Sequence, residues 1–294
     1  MVSSSFLFAL MGVCVKLASA HYGTGEIVFY RGIIGTLVMG LHTWQLGDTL
    51  RTRVPAMHFW RSITGVTALC LWFYAIGKLP IATAVTLNYA SSVWMAVLLI
   101  GSSLLMGSQR VPARLIVTVL IGFAGVALIL RPTIEQDQFW PGLIGLLSGM
   151  LSATAYLQVS GLGRAGEPSH RVVFYFSLGG VAAGALMTST LGWHGHTLTG
   201  AALLLAVGVL ATLAQLLMTR AYTVGRPLVN ASLQYLGIAF SYGWGVLLFD
   251  DRVTWLAIAG MLLIVVAGVL AAQLRSRQAK PMDSVPAGPD SIAP

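Results

Sequence analysis

About ten apolar stretches, each long enough to cross a bilayer as a helix, fill this chain almost from end to end. The stretch from 198 to 219 contains no charged side chain at all. A hydrocarbon core ~30 Å thick needs ~20 helical residues per crossing. Inside that core every backbone N–H and C=O must find its partner within the protein, which leaves helices or a closed barrel. A barrel would show alternating segments of ~10 residues, whereas the runs here are unbroken. Charged residues make up 9% of the 294, against ~25% in ordinary soluble domains, so they cannot cover a water-soluble surface. The fold class is all-α integral membrane.

Apolar runs set against charged and Pro/Gly breaks give ten expected spans: 2–20, 25–45, 58–78, 81–106, 112–130, 141–161, 171–191, 198–219, 227–249 and 254–274. The second five echo the first. Thr86-Leu87-Asn88-Tyr89 is followed 146 residues later by Ser232-Leu233-Gln234-Tyr235, and Val28-Phe29-Tyr30 is followed 145 residues later by Val173-Phe174-Tyr175. Five spans is an odd number, so the two copies must be inverted with respect to each other. The chain thus reads as two inverted five-helix repeats, 1–131 and 141–275. Inverted repeats of this kind are the usual frame of secondary transporters. The remainder, 276–294, holds Pro281, Pro286, Pro289 and Pro294 among small polar residues and reads as a disordered cytoplasmic tail.

The net charge of +8 is explained by where the cations sit. With the N-terminus inside, eleven fall on the cytoplasmic side (Arg51, Arg53, Arg110, Arg114, Arg164, Arg171, Arg220, Arg226, Arg275, Arg277 and Lys280). Three, Lys78, Arg131 and Arg252, fall outside. This bias puts both termini in the cytoplasm and the chain in the inner (plasma) membrane, and needs no nucleic acid. Trp44, Trp60, Trp140, Trp193 and Trp255 stand near span ends, where indole favours the headgroup region. Ala18-Ser19-Ala20 resembles a cleavage site, but no basic segment precedes the apolar run and Lys16 follows it, so it reads as a retained first span. Gly145-xxx-Gly149 and Gly180-xxx-Gly184 permit close helix approach without identifying an oligomer; a homo-oligomer is neither required nor forbidden.

A set of fragments, in order, carries a family likeness. The first helix ends in Gly12-Val13-Cys14-Val15-Lys16, and the second opens with Glu26-Ile27-Val28-Phe29-Tyr30-Arg31-Gly32. Arg61-Ser62-Ile63-Thr64-Gly65, Phe73-Tyr74-Ala75 and Leu79-Pro80-Ile81-Ala82-Thr83-Ala84 follow. Arg220-Ala221-Tyr222, Arg226-Pro227-Leu228 and Phe249-Asp250-Asp251-Arg252 complete the set. In these the chain resembles the drug/metabolite transporter superfamily, and within it the EamA-type ten-helix carriers. It departs from the pattern at Ser91-Ser92, where a proline is frequent, and at Ser108-Gln109, where an acidic residue is usual. The resemblance implies two EamA-like repeats moving a small organic metabolite by alternating access. It does not carry over a substrate or a direction.

Within the spans, Asn88-Tyr89 and Gln234-Tyr235 are the repeat-related polar pairs, and equivalent positions on two inverted spans can face each other. Amide and phenol groups suit a polar metabolite in an apolar cavity; interhelical hydrogen bonding is the plainer alternative. Arg31 lies too deep for easy snorkelling and is read as a cavity or structural contact. Lys16 and Arg61 are split between snorkelling and function. Trp94 and Trp72 sit deep enough to wall a cavity, and Tyr74, Tyr156, Gln158 and Gln215 join the deeper polar set. The expected substrate site is therefore Asn88, Tyr89, Gln234, Tyr235, Arg31, Trp94 and Tyr74.

Catalytic chemistry finds little support. His194-Gly195-His196 lacks further ligands nearby and reads as a solvated turn, and Asp250-Asp251 lacks a second acidic cluster. Cys14 and Cys70 read as packing residues. No Walker-type loop is present, so ATP is not the expected energy source, and no cofactor or metal is called for. The acidic residues avoid span interiors, so proton coupling is not assigned. The sequence thus points to a secondary carrier, export somewhat favoured over uptake, with a small-molecule substrate and the lipid bilayer as partners. An integral membrane enzyme on a lipid-soluble substrate is the alternative.

Overall fold

The computed structural model describes residues 1–105, 138–225, 233–251 and 254–278, with Asn230 and parts of 117–128. Among these residues every regular element is a helix. In chain order they are α1 (Val2–Ala18), α2 (Thr24–Gln45), α3 (Pro55–Lys78), α4 (Ile81–Tyr89), α5 (Ser91–Leu105), α6 (Phe139–Arg164), α7 (Ser169–Leu191), α8 (Leu198–Val224), α9 (Leu236–Phe249) and α10 (Trp255–Gln278). Most of the expected fifth span, the start of the ninth, Ser232, the tail after 278 and the cations Arg110, Arg114, Arg131, Arg226, Arg252 and Lys280 lie outside the described residues.

Local chemistry fixes the helix limits. Pro55 opens α3 at a position whose N–H would have no helical partner. The Glu26 carboxylate accepts the Gly23 N–H (3.0 Å) and so caps α2. Thr197 Oγ1 accepts the Gly200 N–H (3.0 Å) at the start of α8. Gly192 ends α7 at φ 95°, a conformation that a Cβ would oppose.

Among the described residues six helical stretches are long and apolar enough to cross a membrane: α2, α3, α4 with α5 as far as Leu98, α6, α7 and α8. The chain is a multi-pass helical membrane protein. Its polarity runs opposite to that of a soluble bundle. Leu37, Leu186, Leu205 and Leu262 point outward, each at least 57% exposed. Thr86, Asn88, Ser148, Thr212 and Gln234 are buried. Trp44, Trp60, Trp140, Trp193 and Trp255 are all exposed near helix ends.

The helices pair across the chain midpoint. α2 lies along α7 in the most extensive contact of the fold; α1 packs on α8 and α3 on α6. Each half therefore sets its first helix against the third helix of the other. α4 touches α6 and α9, and α9 also packs on α1. Glycine permits the tightest of these approaches. A Cβ on Gly184 would stand 2.5 Å from the Phe29 backbone N, and one on Gly149 would stand 2.6 Å from the Leu87 carbonyl oxygen.

The expected fourth span carries a local break: α4 stops at Tyr89 and α5 starts at Ser91. The ninth is interrupted at Tyr235, just before α9 begins. The two breaks fall at repeat-related positions. Thr86 Oγ1 donates to the Ala82 carbonyl and Ser92 Oγ to the Tyr89 carbonyl (2.6 and 3.3 Å), so hydroxyls bond carbonyls around the break.

Candidate functional site

Beside the first break, α1, α3, α4, α6, α7 and α8 enclose a small cavity of about 50 Å³. Its walls include Arg61, Trp72, Asn88, Tyr89, Ser152, Tyr156, Phe176 and Gln215. The first break leaves Asn88 and Tyr89 at the end of α4, both buried. Asn88 Nδ2 donates to Ser148 Oγ (3.0 Å) and Ser152 Oγ (3.1 Å), which holds the amide against α6. Gly149 lets α6 approach closely enough for those bonds.

Two arginines dominate the electrostatics. Arg31 is 2% exposed and Arg61 3%. Both guanidiniums lie over the Phe176 ring, at 5.0 and 4.3 Å from its centroid. Arg31 Nη2 donates to Gln215 Oε1 (3.4 Å). Nε and Nη1 of both arginines are buried without an acceptor among the described residues. A Cβ at Gly65 would collide with Arg61 Nη1, so the glycine creates the room for that side chain. Among the described residues no carboxylate forms an ion pair with either arginine; Glu26, Asp48, Glu167 and Asp251 are engaged near helix ends. A desolvated cation–π contact is worth ~2 kcal/mol, whereas removing a cation from water costs several. The protein's own contacts therefore leave this pair under-compensated.

The seven expected site residues divide. Asn88 and Tyr89 line the cavity. Arg31 stands one step behind it, bonded to the lining residue Gln215. Gln234 is also one layer back: its Oε1 accepts from Tyr222 OH (3.2 Å), and Tyr222 stacks on the lining residue Tyr156 at 4.9 Å and 15°. The other three stand away from this cavity. Tyr235 faces a separate apolar groove between α9 and α10. Tyr74 is 37% exposed and outside the cavity lining, because two residues beyond Trp72 an α-helix has turned by ~200°. Trp94 packs beside the core on α5 and does not line the cavity. Gln158 accepts a hydrogen bond from Thr64 between α3 and α6 (2.6 Å).

Arg61, Trp72 and Tyr156 were visible in the sequence as deep polar or aromatic residues. Phe176 carried no such signal. Only the crossing of α2, α3 and α7 gives its ring a role.

Polar networks stand at both ends of the bundle. At the end where α1 stops, Lys16 Nζ lies 3.2 Å from Asp251 Oδ1. There the carboxylate of Glu26 also accepts the His194 N–H (2.8 Å) and sits 2.6 Å from His194 Nδ1. His194 is therefore tied down, although its ring stays half exposed. At the other end Glu167 lies 3.1 Å from His58 Nε2, accepts from Thr52 Oγ1 (2.8 Å) and pairs with Arg171 (3.3 Å). Asp48 meets His170 (2.9 Å) and Arg171 (3.4 Å). Burial alone would raise the Glu167 carboxyl, but the hydrogen bonds from Thr52 and His58 and the charge of Arg171 outweigh it and hold it below the usual carboxylate value.

Comparison with known proteins agrees with this architecture. The EamA-like transporter family model matches residues 1–131. The chain is 34% identical over 270 residues to the pseudopaline exporter CntI of Pseudomonas aeruginosa, covering 90% of this chain and 92% of that one. It is 27% identical over 259 residues to a riboflavin transporter of Vibrio cholerae, covering 83% and 84%. A solved crystal structure superposes with a TM-score of 0.66 at 16% identity, covering 95% of this chain and 98% of the other, and shares the fold.

Proposed function

The chain belongs to the EamA-like transporter family, a family of transporters and not of enzymes, and on that premise we propose a specific carrier mechanism for it. It is a ten-span secondary carrier of the inner membrane, built from inverted repeats 1–131 and 141–275, with both termini in the cytoplasm. It exports a small polar metabolite by alternating access. The observation that carries this reading is the cavity beside the broken fourth span. Discontinuous helices at equivalent places in two repeats are where secondary transporters build their sites. The exchanged pairing of first and third helices supports the inverted repeat. The excess of cations on one side of the expected spans supports the orientation. Export is supported by the exporter at 34% identity.

In this mechanism the substrate sits among Asn88, Tyr89, Ser152 and Tyr156. The Lys16–Asp251 pair closes one end and the Glu167 network the other. Opening requires one network to part while the other holds. Gln234 acts through Tyr222 and Tyr156, setting the height of the stacked pair. The test is counterflow with purified protein in liposomes against amino acids, nucleosides, flavins and organic ions. Accumulation of label driven by unlabelled internal substrate supports a carrier. A substrate that crosses only with ATP hydrolysis, or none of the panel crossing, overturns it.

A further inference from the structure

We infer that Arg31 and Arg61 form a carboxylate-recognition element, so that the transported metabolite is an organic anion with at least one carboxylate. This rests on the carrier reading and deepens it. Both guanidiniums are more than nine-tenths buried and converge on one ring, Phe176. Together they present four buried nitrogens with no acceptor among the described residues. The reach from α2 and α3 to a common point is built into the fold: Gly65 is clear of side chain where Arg61 Nη1 lies, and Gln215 fixes one edge of Arg31.

A structural pair of arginines would be expected to bring its own carboxylate, as Lys16 does with Asp251 and Arg171 with Glu167. Among the described residues this pair brings none, and Arg61 borders the cavity. A planar carboxylate matches the guanidinium fork with two parallel hydrogen bonds. It also supplies the negative charge that two cations in a low-dielectric interior need. The rest of the substrate then extends toward Asn88, Ser152 and Tyr156, whose hydroxyl and amide groups suit neutral polar substituents. A dicarboxylate would neutralise both cations and is the best-matched class.

The test uses full-length protein in liposomes and in detergent. Glutarate, glutamate and citrate serve as carboxylate probes, with glutaramide as the carboxylate-free amide counterpart of glutarate and glutamic acid diamide as that of glutamate. In counterflow and as competitors, carboxylates should act about ten- to a hundredfold more strongly than their amides. They should also raise the melting temperature of the purified protein where the amides do not. Arg31→Gln and Arg61→Gln should lose the carboxylate preference. Arg31→Lys and Arg61→Lys, which keep the charge, should retain part of it. Should the glutamine variants fail to fold, the comparison of carboxylate with amide on the unaltered protein decides the matter. Counterflow of neutral substrates with no advantage for carboxylates overturns this inference and leaves the carrier standing. Absence of counterflow with every probe overturns both.

Discussion

The Lys16 ammonium at the end of α1 lies 3.2 Å from the Asp251 carboxylate just past α9, and the same carboxylate accepts the Ile81 N–H at the start of α4 (3.1 Å). Three helix ends thus meet on one acidic side chain, with Lys16 also donating to the Leu79 carbonyl (3.3 Å). Asp251→Asn should lower stability by about 1–3 kcal/mol, the usual cost of leaving a buried polar partner unmade. Thermal unfolding in detergent measures this. If the pair is a gate, cysteines near Ser19 and Gly77 should label faster in the variant. Unchanged labelling would reduce the pair to a structural tie.

Asn88→Leu should weaken substrate binding about ten- to a hundredfold, because the amide is the polar end of α4 at the cavity. Gln234→Leu should have a smaller effect, since it reaches the cavity only through Tyr222 and Tyr156. Affinity measured by competition in liposomes ranks the two. An equal or larger loss in Gln234→Leu would place it against the substrate directly.

Gly149→Val should be strongly destabilising. Its Cβ would come within 2.6 Å of the Leu87 oxygen and 2.9 Å of the Asn88 oxygen, so α4 must move. Overpacking of this sort costs about 1–3 kcal/mol or more. A Cβ at Gly101 meets nothing within 4 Å among the described residues, and Gly101→Ala should stabilise by about 0.5–1 kcal/mol. Melting temperatures of the two variants should move in opposite directions.

The Glu167 network should make stability fall in acid. The Glu167 carboxyl is held below its ordinary value in the folded protein, so the folded state binds that proton less readily than the unfolded chain. Its contribution is complete above the ordinary carboxylate pKa of about 4 and is lost as pH falls through the depressed value. Glu167→Gln should be less stable at neutral pH and show a flatter acid limb. Parallel melting curves for both proteins from neutral to acid pH would remove Glu167 from the network's energetics.

Single cysteines at Arg51 and Gly195, in a protein lacking Cys14 and Cys70, should be modified from opposite faces of the membrane. The first stands in the α2–α3 connection and the second in the α7–α8 connection. Labelling of both by an impermeant reagent from one side of sealed vesicles would reject the ten-span orientation.

The helices, their membrane setting and their family were legible in the sequence because they depend on local composition. A run of apolar residues lacks water-compatible groups wherever it ends up, and a cation in a loop biases orientation without tertiary contact. Asn88 and Tyr89 could be singled out because the echo of Asn88-Tyr89 in Gln234-Tyr235 marks polar pairs inside apolar runs. Facing could not be read off in the same way. Tyr74 is exposed two residues beyond the lining Trp72, since helical phase chooses the neighbour. At the Ala90 break itself neither Pro nor Gly stands in this chain, and only Ser91-Ser92, where the resembled family frequently has a proline, marks the place.

Arg31 and Arg61 show the division most sharply. The sequence determined that each is a cation inside an apolar span, and assigned them to opposite ends of two different helices. Only the tertiary structure brought both guanidiniums to the Phe176 ring. The reason is physical. A long side chain carries its charge several ångströms from its own backbone, and where it lands is set by which helices glycine allows to cross.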